Sequence, residues 1–145
     1  MDDVLVTALL DLKTDPIEAV TPHTPILEAV RRMNERRIGS VLVMDGERLA
    51  GIFTERDVLT RVVPQGLDPA RTPVGEVMTR QPVTIPHTTT VSQAMMVVTD
   101  KRRRHLPVMK EGKVLGMVSI GDLTRWMVRD QQRTIDHLFD YVCRG

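Results

Sequence analysis

Aromatic residues are scarce, 3% of the 145-residue chain, with a single Trp and a single Tyr. The core must therefore be aliphatic, built from Val, Leu, Ile, Ala and the nine Met, and stacking platforms for nucleic acid are not expected. A lone cysteine, Cys143, allows no internal disulfide and no thiolate metal cage. No apolar run approaches the ~20 residues that span a bilayer, and Asp2 and Asp3 stand where a signal peptide carries basic residues. A cytoplasmic protein with no membrane partner is the expectation. The net charge of +1 gives no global pull towards nucleic acid. His23, His87, His105 and His137 show no i,i+4 pairing and no cysteine neighbours, so no metal site is expected. A Gly-rich phosphate loop, a nucleophile elbow and paired catalytic acids are also lacking; no catalytic residue is assigned and an enzyme is not expected.

What is present is a repeat. Gly51-Ile52-Phe53-Thr54-Glu55-Arg56-Asp57 and Gly116-Met117-Val118-Ser119-Ile120-Gly121-Asp122 lie 65 residues apart. Each reads as an apolar strand running into a hydroxyl residue and, three residues on, a carboxylate that opens a helix. The spacing is that of a helix cap, the hydroxyl accepting a first-turn N–H while the acid sits near the positive end of the dipole. The same arrangement can receive a phosphate and a ribose diol. Around it, residues 3–13 predict a short amphipathic helix limited by Pro16, and residues 17–21 a strand. A helix is expected from about Pro25 to Arg36, with Ile26, Ala29, Val30 and Met33 on one face. Ser40–Met44 and Leu49–Phe53 form a hairpin across Asp45-Gly46. Pro64 to Pro73 reads as linker. The pattern then returns as a strand at Val83–Ile85, a helix from about Thr90 to Lys101 and a hairpin across Glu111-Gly112. The division is an N-terminal helix plus first repeat over 1–64, a linker over 65–81, a second repeat over 82–128 and a helical tail over 129–145. Each β-α-β-β-α unit is too small to bury its own core well.

In order, twice and in register, these segments resemble a pair of cystathionine β-synthase (CBS) domains, the Bateman module. Val77-Met78-Thr79 with Pro82-Val83-Thr84, and His105-Leu106-Pro107-Val108, carry the resemblance further. It implies an α/β fold of two small three-stranded sheets about a pseudo-twofold axis, with flanking helices. It also implies two clefts for adenosine-containing ligands such as AMP, ATP, NAD or S-adenosylmethionine, and dimerisation. Asp57 and Asp122 match the ribose-binding aspartate, and Thr54 and Ser119 the hydroxyl that meets phosphate or ribose. Arg56, a cation opposed to the helix dipole, has Gly121 as its counterpart. Arg104 and His105 stand where phosphate-contacting residues are placed, next to Pro107; their counterparts are Gly39 and Ser40, so the clefts should differ. The phosphate would sit near Thr54 and Arg56 in one cleft, or near Ser119, Arg104 and His105 in the other. The adenine would lie between the segments around Thr21 and Thr84. Lys101 and Arg102 read as a solvated helix end.

The expected function is a regulatory sensor that binds an adenine nucleotide, AMP or ATP foremost, with no obligatory cofactor, and relays it to an unknown effector protein. The alternative is a ligand-free dimerisation scaffold. Ile135, Leu138, Phe139 and Val142 in the tail are expected to pack on a partner copy in a homodimer.

Overall fold

The computed structural model describes residues 3–13 and 17–144; the expected helix stop at Pro16 lies outside them. In chain order the elements are α1 (Val6–Asp11), β1 (Ala19–Val20), α2 (Ile26–Arg36), β2 (Ser40–Asp45) and β3 (Arg48–Thr54). Next comes α3 (Glu55–Asp57), running into a π-helical turn (Val58–Val62), then a 3-10 turn (Val74–Glu76) and β4 (Thr79–Arg80). The second half holds β5 (Ile85–Pro86), α4 (Val91–Lys101), β6 (His105–Lys110), β7 (Lys113–Ser119) and α5 (Ile120–Arg144).

The two sheets have the orders β1-β2-β3-β4 and β5-β6-β7. In each, the first strand is parallel to the second and the hairpin that follows is antiparallel. Both hairpins carry a register shift at the same place, Val43/Met44 and Val108/Met109. Both α2 and α4 end on a left-handed arginine, Arg37 (φ 54°) and Arg102 (φ 53°), a backbone state that costs an L-residue about 1–2 kcal/mol. The repeat is thus one of backbone detail as well as sequence.

Two expectations change. Thr79–Arg80, read as linker, pairs with Ile52 and Gly51, so the first sheet has four strands where three were expected. The strand expected at Val83–Ile85 sits later, at Ile85–Pro86, because the parallel register fixes Ile85 on Val108. The helical tail expected over 129–145 runs on without a break from the close of the second repeat, as one helix, α5, 25 residues long.

Ile26, Ala29 and Met33 of α2 are buried in a core with Val41, Val43 and Phe53. The second core gathers Ile85, Val91, Ala94, Val98, Leu106, Val108 and Leu123. It also contains Val6 and Leu9 of α1, so the N-terminal helix packs into the second repeat, not the first. The backbone makes the exchange reciprocal. Val6 N–H donates to Thr89 O and Val91 N–H to Val4 O (both 2.8 Å). At the matching positions Val74 N–H donates to Thr24 O (2.8 Å) and Ile26 N–H to Thr72 O (3.0 Å). The segment preceding each repeat therefore satisfies the helix-start donors and acceptors of the other, groups that an isolated repeat would leave to water. This exchange sets what lies beside each cap.

Candidate functional site

Both caps form as their spacing requires. At the first, Asp57 N–H donates to the Thr54 hydroxyl (3.2 Å) and Thr54 N–H to Asp57 Oδ2 (2.9 Å). At the second, Asp122 N–H donates to Ser119 Oγ (3.1 Å) and Ser119 N–H to Asp122 Oδ2 (2.8 Å). Each helix start is tied to the strand before it, Glu55 N–H to Gly39 O (3.0 Å) and Ile120 N–H to Arg104 O (2.8 Å). One oxygen of each aspartate is thereby committed to the fold; the two sites part over the other oxygen.

At the first cap, Asp57 Oδ1 accepts a long hydrogen bond from Thr79 Oγ1 (3.3 Å) and has Arg61 Nε at 3.7 Å. Arg61 is itself held by the carbonyls of Val77 and Met78 (3.3 and 3.0 Å). Thr79 comes so close because Gly51 has no side chain: a Cβ there would stand 2.6 Å from Thr79 O. Asp57 is buried, yet it borders an open cleft of about 490 Å³, within the usual range for small-molecule sites. Ile52, Pro82 and Val83 supply an apolar wall. Thr54, Asp57 and Thr79 supply a polar floor, and Arg56 with the run Lys101–Arg104 a cationic rim, beside which His105 lies.

At the second cap, both carboxylate oxygens of Asp122 are taken by cations. Lys13 Nζ lies 2.8 Å from Oδ2 and Arg125 Nη2 2.7 Å from Oδ1, and Lys13 also donates to Met117 O (2.6 Å). The glycine of the repeat again permits the approach: a Cβ at Gly116 would meet Leu10 at 2.8 Å. Burial alone would raise the Asp122 pKa. Hydrogen bonds from Lys13 and Ser119, with the Lys13 charge, outweigh it and hold the carboxyl below its ordinary value.

The structure therefore gathers Gly39, Thr54, Arg56, Asp57, Arg104 and His105 into one cleft. Arg104 and His105, expected beside Ser119, thus also border the cleft of the first cap. His105 is the register partner of Ser119, but Leu106 points into its own core and alternation sends the His105 ring the other way. Its Nε2 lies 3.5 Å from where a Gly39 Cβ would stand. Burial lowers the His105 pKa; Glu55 and Asp122 pull it up, while Lys13 and Arg104 push it down. Four further expected residues lie elsewhere. Ser40 is buried with its hydroxyl 3.7 Å from Met117 Sδ, between the two sheets. Pro107 is buried inside β6. Thr84 lines a separate depression with Glu47 and Arg48, and Thr21 closes a turn on Thr24. Neither threonine lines the Asp57 cleft, whose apolar wall includes Pro82 and Val83, the two residues just before Thr84. Thr79, Arg61 and Lys13 were missed. Thr79 lay within the Val77-Met78-Thr79 signature, whereas Lys13 carried no signal.

The CBS domain profile matches residues 9–64 and 74–129. The chain belongs to the CBS domain family. It is 38% identical over 130 residues to the mitochondrial CBS domain-containing protein CBSX3 of Arabidopsis thaliana, covering 86% of this chain. It spans 63% of that relative's length and 19% of a second Arabidopsis relative's. A CBS-domain containing protein from Agrobacterium tumefaciens superposes with a TM-score of 0.79 at 36% identity, over 86% of this chain and 99% of that one. A CBS domain protein from Pyrobaculum aerophilum, solved in complex with AMP, has a TM-score of 0.73 at 24% identity over 82% of this chain and 89% of that one. The CBS fold read from the repeat is thus the fold observed. No described helix is long and apolar enough to cross a membrane. The mitochondrial relative means that relationship alone carries no compartment over to this chain.

Proposed function

We propose that this CBS pair is a regulatory module that binds an adenosine-containing nucleotide in the cleft beside Asp57. The observation that carries the reading is the contrast between the two aspartates. Asp57 Oδ1 has only long contacts, at 3.3 and 3.7 Å, and faces a cleft with a cationic rim and an apolar wall. A ribose diol would donate to that oxygen, the base would lie against Ile52, Pro82 and Val83, and the phosphate would meet Arg56, Arg104 and His105. AMP bound to the Pyrobaculum protein supports the ligand class. Because this cleft lies between the two repeats, a ligand that prefers one arrangement of them shifts the population towards it, and a partner protein reads the shift.

Isothermal titration of the purified chain against AMP, ADP, ATP, NAD and S-adenosylmethionine tests the reading. Asp57→Asn should weaken the adenosyl ligand roughly a hundredfold, the worth of two charge-assisted hydrogen bonds, whereas Asp122→Asn should leave that affinity within about threefold. Equal losses at both positions, or none at Asp57, overturn the assignment.

A second reading, a self-associating scaffold, is favoured by one observation. Ile135, Leu138, Phe139 and Val142 of α5 form an apolar stripe and are 52–74% exposed. The helix meets its own repeat through Leu123 and Trp126, and the stripe lies beyond that contact. A second copy of the chain, offering the same stripe across a twofold axis, would cover it. Such a homodimer is compatible with ligand binding.

A further inference from the structure

We infer that the Asp57 cleft selects ligands with two or more linked phosphate groups, a nucleoside di- or triphosphate, over AMP and S-adenosylmethionine. This rests on the nucleotide reading above and deepens it. Arg56, Lys101, Arg102, Arg103 and Arg104 all border the one cleft, and none has a carboxylate partner among the described residues. The carboxylates lining it are those of Glu55 and Asp57, and Asp57 is partly committed to its cap.

The fold does not require Arg56, Arg103 or Arg104, and the repeat supplies the control. The positions matching Lys101 to His105 in the first copy are Arg36, Arg37, Ile38, Gly39 and Ser40. The two copies share the helix end, the left-handed residue and the entry into the strand. In the first copy Arg36 is paired with Glu18 at 2.9 Å, and the next two positions after Arg37 are neutral. The same backbone is thus built without Arg103 or Arg104. A helix dipole accounts for cations in its last turn only, and Arg103 and Arg104 lie past that turn.

Five unpaired cations around one concavity repel each other until an anion of matching charge enters. A monophosphate carries too little charge to engage them all. A chain of phosphates running from the ribose at Asp57 past Arg56 towards Arg104 and Arg103 reaches more of them, and planar guanidinium groups bind phosphate oxygens in pairs. S-adenosylmethionine, with its sulfonium cation, is opposed by the same rim.

The test measures ATP, ADP, AMP, S-adenosylmethionine and inorganic tripolyphosphate against the full chain over a salt series. Affinity is expected to rise about tenfold per added phosphate, with ATP showing the steepest salt dependence. Tripolyphosphate should compete with ATP. The double variant Arg103→Ile and Arg104→Gly, carrying the residues of the first repeat at those positions, should lower the ATP-to-AMP ratio about tenfold. An unliganded melt of the same variant checks that it folds. AMP or S-adenosylmethionine binding as tightly as ATP overturns the inference and leaves the nucleotide reading standing. An unchanged ATP-to-AMP ratio in the double variant also overturns it. Tripolyphosphate binding as tightly as ATP, with no contribution from adenosine, upholds the polyphosphate rim and overturns the nucleotide reading.

Discussion

Replacing Lys13 by Ala should strip the second aspartate of one of its two cations. The substitution removes an ion pair of 2.8 Å to Asp122 and a hydrogen bond of 2.6 Å to Met117 O. The lysine side chain is 40% exposed and Asp122 13%, so the pair is screened on one side. Arg125 also stays in place at 2.7 Å. The stability lost is therefore that of a half-exposed pair, about 0.5–1 kcal/mol, or a fall in melting temperature of roughly 2–4 °C. The acid limb of the stability curve gives the sign. Asp122 has a folded pKa below its unfolded value near 3.8, so its contribution is complete above 3.8 and is lost as pH falls through the folded pKa. Removing Lys13 lets the folded pKa rise, and the wild-type advantage should shrink below pH 4 and vanish at the acid end. Carboxyl-resolved NMR titration reads the pKa, and calorimetric titration reads stoichiometry. One nucleotide per chain is expected in the wild type and in Lys13→Ala alike, because Arg125 still holds Asp122 Oδ1. Two equal sites in the wild type would refute the claim that the cations on Asp122 close the second site.

The pH dependence of binding should follow His105. Its pKa is lowered chiefly by burial, so without ligand its stability contribution is present above 6.5 and lost as pH falls through the folded value. A phosphate beside the ring favours the protonated form; nucleotide affinity should rise between pH 8 and pH 6 with proton uptake, and a flat profile would count against His105 as a phosphate neighbour. Self-association should follow α5: Leu138→Glu with Phe139→Glu, both at exposed positions, should turn a dimer into a monomer in sedimentation. Each buried apolar side chain is worth roughly 1.5–3 kcal/mol, and persistence of the dimer would place the interface elsewhere.

The repeat was legible because its determinants are local. The Thr54…Asp57 and Ser119…Asp122 spacing dictates a cap whatever surrounds it, and the apolar spacing of Ile26, Ala29 and Met33 dictates which face of α2 is buried. The hairpins, the α2 and α4 helices and the identity of both aspartates follow from neighbours a few residues apart. What the sequence could not settle is which of two chemically equal aspartates stays available. That depends on the reciprocal exchange, in which β4 brings a weakly bonding threonine to Asp57 and the end of α1 brings an ammonium to Asp122. The partners lie 22 and 109 residues away in the chain, and no periodicity encodes such a meeting. The same holds for Arg104 and His105, which belong to the second repeat by sequence and to the first cleft by geometry. Local hydrogen bonding fixes each half of this protein, and local sequence makes the halves differ, as in the Arg125–Asp122 pair; long-range packing decides which cations and hydroxyls from elsewhere in the chain meet each aspartate.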